Sequence, residues 1–152
     1  MKLQKNTLLA LYSVLEFAGR PDELVPAAEV ASKHGESAHH LAKVLSELTR
    51  ANIVESVRGV GGGYRFVANP RRLTMLDVIL LFEGLGGEAS AAAPANAVDG
   101  ALGSVLAEID ETARATFGSI TVATMLKMID KGSVTQVGSF GSVDQRSKGR
   151  MA

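Results

Sequence analysis

A chain of 152 residues that is 46% hydrophobic and 21% charged is long enough for one domain with an extension, and apolar enough to build a core. Cysteine is absent, which excludes disulfides, thiolate zinc sites, a cysteine nucleophile and cysteine-held iron–sulfur clusters. The formal net charge is zero but unevenly placed: residues 1–72 hold ten Lys and Arg against seven Asp and Glu, and residues 73–152 hold six against nine.

Leu8, Leu11, Tyr12, Leu15 and Ala18 recur at helical spacing, with Asn6 or Thr7 as the expected cap and Gly19 near the stop. Pro26 opens a short second helix, Ala27 to Lys33, that ends at Gly35. Ser37 is the expected N-cap of a third helix with Leu41, Val44, Leu45 and Leu48 on one face. Two helices joined by a tight turn containing glycine form a helix-turn-helix pattern. The period then shortens: Ile53 to Arg58 and Tyr64 to Val67 read as strands of a hairpin with Gly59 to Gly62 at its tip.

Thr74 caps an expected fourth helix, Met75 to Glu83. Residues 84–98 read as a loop, because Gly84, Gly86 and Gly87 stop the helix and the following stretch is alanine-rich and broken by Pro94. From Asp99, the positions Leu102, Val105, Leu106, Ile109, Ala113 and Phe117 trace one stripe of a long amphipathic helix. Thr121 caps a last helix to Asp130, and the Gly- and Ser-rich residues 132–152 read as a flexible tail. The expected architecture is therefore mainly α with a small β-hairpin wing: a winged helix-turn-helix over 1–72, dimerisation and sensor helices over 73–131, then the tail. The longest apolar run, Val78 to Phe82, is far short of the roughly 20 residues that span a bilayer, so the expectation is a cytoplasmic protein without membrane contact.

Helix, helix, helix, hairpin is an order whose physics suits double-stranded DNA. A third helix of this kind fits the major groove, where base edges carry a full donor and acceptor code. Its N-terminal face offers Ser37, His39, His40 and Lys43; the alternative is a face that is merely solvated. The segment Arg58 to Arg65 places an arginine at each side of a glycine-rich turn, and an arginine at a hairpin tip can enter a narrow minor groove. A plain hairpin turn competes with that reading, whereas a phosphate-cradling loop lacks the Lys-Ser/Thr pair and following helix of a P-loop. His34, His39 and His40 lack a metal-binding spacing. Adjacent carboxylates such as Asp110 and Glu111 point apart on a helix, so no acid–base pair suggests an enzyme.

The run from Ser37 to Arg65, with the T-M-L-D-V-I segment from Thr74 and the closing T-V-A-T-M-L from Thr121, resembles the Rrf2 family of bacterial winged-helix regulators, the group of IscR, NsrR and CymR. The similarity runs from Lys2 to about Lys127. The resemblance implies a homodimer, a repressor reading a partly palindromic operator. It makes Ser37, His39, His40 and Lys43 recognition-helix contacts, Arg58, Gly59 and Arg65 wing residues, and Lys2 and Lys5 phosphate anchors ahead of the first helix. His40, Ala42 and Val60 stand where many members have Tyr, Glu and Pro, so no operator sequence carries over.

Cluster-binding members supply three cysteines from the loop before the dimer helix, and Glu88 to Val98 has none. No cofactor is expected for this chain, although a cysteine-containing form would have the ligands for a cluster. The loop fits either replaced cysteines or a naturally cluster-free member. Leu102, Val105, Leu106, Ile109 and Ala113 either pack on their own domain or pair across a two-fold axis, and the family favours the pair. The effector is expected to be a small molecule or a protein. A protein-interaction module acting on an enzyme partner is the competing function.

Overall fold

A computed structural model describes residues 2–83 and 93–135 of the chain. Its elements are α1 (Lys5–Ala18), α2 (Ala27–Lys33), α3 (Ala38–Arg50), β1 (Val54–Val57), β2 (Gly63–Phe66), α4 (Met75–Leu80), α5 (Ala97–Ser119) and α6 (Val122–Thr135). This is the expected order, mainly α with one antiparallel hairpin.

Helices α2 and α3 are set by their ends. The α2 terminus closes on Gly35 at φ +66°, where Gly35 N–H donates to Ser32 O and Glu36 N–H to Ala31 O at 2.8 Å. The α3 terminus uses the same device with Asn52 at φ +57°, and Ile53 N–H donates back to Leu48 O at 3.0 Å. Between these stops, Ser37 Oγ accepts His40 N–H at 3.1 Å and starts α3 where the sequence expects it. Leu41, Val44, Leu45 and Leu48 are then driven inward together, against Val14 and Phe17 of α1 and Val30 of α2.

The hairpin pairs Val54 with Phe66 and Glu55 with Arg65, so alternate side chains fall on opposite faces. Val54 and Phe66 are buried in the core, whereas Arg65 is exposed. Two ties fix the hairpin to the helices. Val25 and Tyr64 exchange backbone hydrogen bonds of 2.9 Å, and the Tyr64 ring stacks on Phe17 with centroids 5.9 Å apart.

Thr74 starts α4 with a capping box, its hydroxyl accepting Asp77 N–H while the Asp77 carboxylate accepts Thr74 N–H. A short bridge joins this point to the start of α6: Met75 N–H donates to Ile120 O at 2.8 Å and Val122 N–H to Leu73 O at 2.9 Å. Met75, Val78 and Val122 thereby enter the same buried cluster as α1 to α3.

Element ends depart from expectation at several places. Lys5 is the first residue of α1 rather than a residue ahead of it, and neither Asn6 nor Thr7 caps the helix; Gln4 holds the cap position without a side-chain bond. Pro26 is likewise the cap residue of α2, outside its first turn. The regular part of α4 stops at Leu80, and Leu81 to Glu83 continue as a looser turn. Ala97 and Val98 belong to α5, because Asn96 accepts Asp99 N–H at 2.9 Å and starts the helix two residues early. Residues 84–92 of the expected loop lie outside the described residues. The last helix runs to Thr135 instead of Asp130, since the cost of Gly132, about 1 kcal/mol relative to alanine, is too small to end it. Residues 136–152 of the expected tail also lie outside the described residues.

Candidate nucleic-acid interface

The inward commitment of four aliphatic residues leaves α3 with a polar outer face. His39, Ala42, Lys43, Ser46 and Glu47 line a shallow concave strip along it, and His39 and Lys43 are exposed. Ala42 and Ser46 are small, so the strip offers close access to the helix backbone between two longer polar side chains. Arg50 at the far end is paired with Glu47, its Nη1 lying 2.8 Å from Oε1.

Ser37 and His40 are less free than sequence spacing suggests. The Ser37 oxygen is used as the α3 cap, which leaves its hydroxyl proton and one lone pair for an outside group. His40 is half-buried, and its Nε2 lies 2.6 Å from Asn6 Oδ1 on α1. Lys5 Nζ lies 2.8 Å from Glu36 Oε1, so this charge is already partnered, while Lys2 is exposed. His34, at the α2 end, stacks on Tyr12 with centroids 4.7 Å apart and lies 3.5 Å from Glu16 Oε1.

The wing turn is built on Gly59 at φ +104° and Gly61 at φ +75°, conformations that L side chains rarely adopt, and Gly62 N–H closes it on Gly59 O at 3.0 Å. Arg58 is exposed at the base of this turn and Val60 stands fully exposed at its tip. Arg65 behaves differently: it is bonded across the ladder to Glu55, which neutralises it on the outer face of the hairpin. Arg58 and Arg65 are therefore not equivalent flanks of one turn. Elsewhere, Arg20 is held above its ordinary guanidinium pKa by its hydrogen bond to Glu29, a tie from the turn after α1 to α2.

Sequence reasoning missed Asn6, Glu36, Glu55 and Glu83. Glu55 was available from hairpin register, because a residue opposite Arg65 follows once the turn is placed. Asn6, Glu36 and Glu83 carried no local signal, since their partners lie 34, 31 and 76 to 79 positions away in the chain.

A recognition-type third helix beside a glycine-hinged hairpin defines a winged helix-turn-helix protein, and comparison with known proteins gives its kind. The sequence profile of the Rrf2 family, described as iron-dependent transcriptional regulators, matches residues 3–128, and the chain belongs to that family. The HTH-type transcriptional regulator BadM of Rhodopseudomonas palustris is 50% identical over 131 residues, 86% of this chain and 84% of that protein. IscR of Vibrio atlanticus is 33% identical over 117 residues, 76% of this chain and 52% of that protein. Among solved structures, CymR, the global cysteine regulator of B. subtilis, superposes with a TM-score of 0.70 at 23% identity, covering 84% of this chain and 98% of CymR. IscR of T. potens superposes with a TM-score of 0.71 at 23% identity, covering 98% and 94%. The chain is a DNA-binding transcriptional regulator and not an enzyme.

The residues present do not fit the iron centre that the family description implies. No thiolate exists anywhere in the sequence. Among the described residues, no three His, Asp or Glu side chains gather to hold a metal ion. Among those residues, too, no helix is long and apolar enough to cross a membrane.

Proposed function

We propose that the chain is a homodimeric repressor that reads a palindromic operator with α3 in the major groove and the wing in the minor groove. The observation that carries this reading is the pairing of an exposed polar strip on α3 with an exposed, unneutralised wing arginine, Arg58, on one packed body. His39 and Lys43 make the outer-face contacts, Ser37 and His40 act at the start of α3, and Lys2 with Lys5 flanks the phosphates. Arg58 and Gly59 make the wing contact, and Arg65 supports it from the ladder.

Residues 73–131 supply dimerisation and sensing, with residues 1–72 on the DNA. Leu102, Val105, Leu106 and Ile109 are each more than half exposed on α5, and together with Ala113 they bury against a second copy. Two recognition helices in such a dimer meet half-sites roughly one helical turn, about 34 Å, apart. The protein works in the cytoplasm, and its operator affinity responds to a small molecule or a protein effector. Fluorescence titration with a duplex from the region upstream of the chain's own gene tests the reading. Lys43→Ala and Arg58→Ala each weaken binding, and a parent protein without salt-dependent, sequence-preferring binding would overturn it.

A further inference from the structure

Three consecutive side chains in the first turn of α1 are tied to three different elements. Lys5 Nζ lies 2.8 Å from Glu36 Oε1 in the turn before α3, Asn6 Oδ1 lies 2.6 Å from His40 Nε2 on α3, and Thr7 Oγ1 donates to Glu83 Oε1 at 2.6 Å beyond α4. The same Glu83 oxygen accepts Gln4 N–H at 2.6 Å. Since Gln4 makes no side-chain cap, the Glu83 carboxylate does that work from across the fold, at the positive end of the helix dipole. Thr7 is fully buried, so its hydroxyl depends on this partner.

We propose that Asn6 and Glu83 are positioning residues for operator discrimination: Asn6 fixes the His40 ring, and Glu83 fixes the turn from which Asn6 reaches it. The inference rests on α3 being the recognition helix. The His40 backbone is already held by the Ser37 cap, and the bond from Asn6 removes the remaining freedom of its side chain. With Oδ1 accepting, the neutral ring carries its proton on Nε2 and keeps Nδ1 as an acceptor. A ring held in one orientation and one tautomer offers base edges a single hydrogen-bonding pattern and loses less freedom on binding. Release of the ring blurs that pattern while leaving untouched the attraction of the Lys43 and Arg58 charges to the duplex.

The test compares the full chain and its variants by fluorescence anisotropy on two duplexes: the fragment upstream of its own gene, and a shuffled fragment of equal length and composition. Asn6→Ala and Glu83→Ala each lower the ratio of the two affinities roughly three- to tenfold, as expected for one lost hydrogen bond, with the shuffled-duplex affinity within about twofold of the parent. Glu83→Gln keeps an acceptor oxygen for Gln4 and Thr7 and retains the parental ratio. If Glu83→Ala loses its helical circular dichroism, Asn6→Ala decides alone, because Asn6 is exposed and its replacement threatens no core contact. An unchanged ratio for Asn6→Ala, while Lys43→Ala and Arg58→Ala weaken binding, overturns this proposal and leaves the DNA interface standing. Indifference of Lys43→Ala and Arg58→Ala as well overturns the interface reading itself.

Discussion

At the scale of single residues, the wing is held by what cannot be added to it. A Cβ built on Gly63 would lie 2.6 Å from the Val25 carbonyl oxygen and 3.0 Å from Pro26 N, both backbone atoms that cannot swing aside. Gly63→Ala is therefore expected to push β2 away from the segment leading into α2 and to break the paired bonds between Val25 and Tyr64. The cost is about 1–3 kcal/mol, read as a lower urea midpoint with an unchanged slope. An alanine variant as stable as the parent would show that the bridge does not constrain the wing. Residue-level reading of the sequence was strongest where a cap or a stop is local: Ser37, Thr74, Thr121 and Gly35 all act where they were expected. It was weakest at Gln4, whose missing cap is replaced by Glu83, 79 positions away.

Elements combine these local decisions, and the hairpin illustrates how a motif can mislead. The spacing of Arg58 and Arg65 around four glycines suggests a symmetric pair of cations, yet antiparallel register sets Glu55 opposite Arg65 and leaves only Arg58 unneutralised at the turn. Arg58→Ala should lower the slope of log affinity against log salt by about one unit, the signature of one lost phosphate-region contact. Arg65→Ala should change that slope less, and should cost little stability because an exposed ion pair contributes only about 0–1 kcal/mol. Titrations at several salt concentrations distinguish the two, and an equal change in slope would mean that the Glu55 pair opens on DNA. The α3 element was legible almost in full, because its inward face is a strict helical repeat of Leu and Val and its outer face is what remains.

For the whole molecule, the most telling feature is a long helix without one fully buried residue. None of the 23 residues of α5 is buried, and Leu102, Val105, Leu106 and Ile109 are 54–61% exposed. Its C-terminal part, around Ala113, Arg114, Phe117 and Gly118, is half-buried, with Gly118 beside Leu76 of α4, and near its start only Gly100, beside Pro94, is likewise half-buried. An apolar stripe of this kind is a costly surface for an isolated chain and a ready one for a second copy. Leu106→Glu is expected to shift the protein from dimer to monomer in sedimentation velocity and to weaken operator binding at least tenfold, because two half-sites are then no longer bound together. A parent that sediments as a monomer at micromolar concentration would refute the assignment of α5 as the dimer helix.

The sequence by itself determined the order of helices and hairpin, the inward face of α3, the caps Ser37, Thr74 and Thr121 and the glycine-hinged wing, because each depends on residues within a few positions of one another. It misjudged the face of α1, where Leu8 and Tyr12 of the expected stripe are exposed and Val14 and Phe17 are buried, because two overlapping apolar stripes run along that helix and only packing chooses between them. It also carried the family, since the S-A-H-H-L-A-K run and the R-G-V-G-G-G-Y-R run are contiguous. Only the tertiary structure decided which of the candidate side chains are already engaged. Lys5 is held by Glu36, His40 by Asn6, Arg65 by Glu55 and the start of α1 by Glu83. The physical reason is the range of the interactions: periodicity and capping act along the chain, whereas a charge or a ring is committed by whatever packing brings within about 3 Å of it.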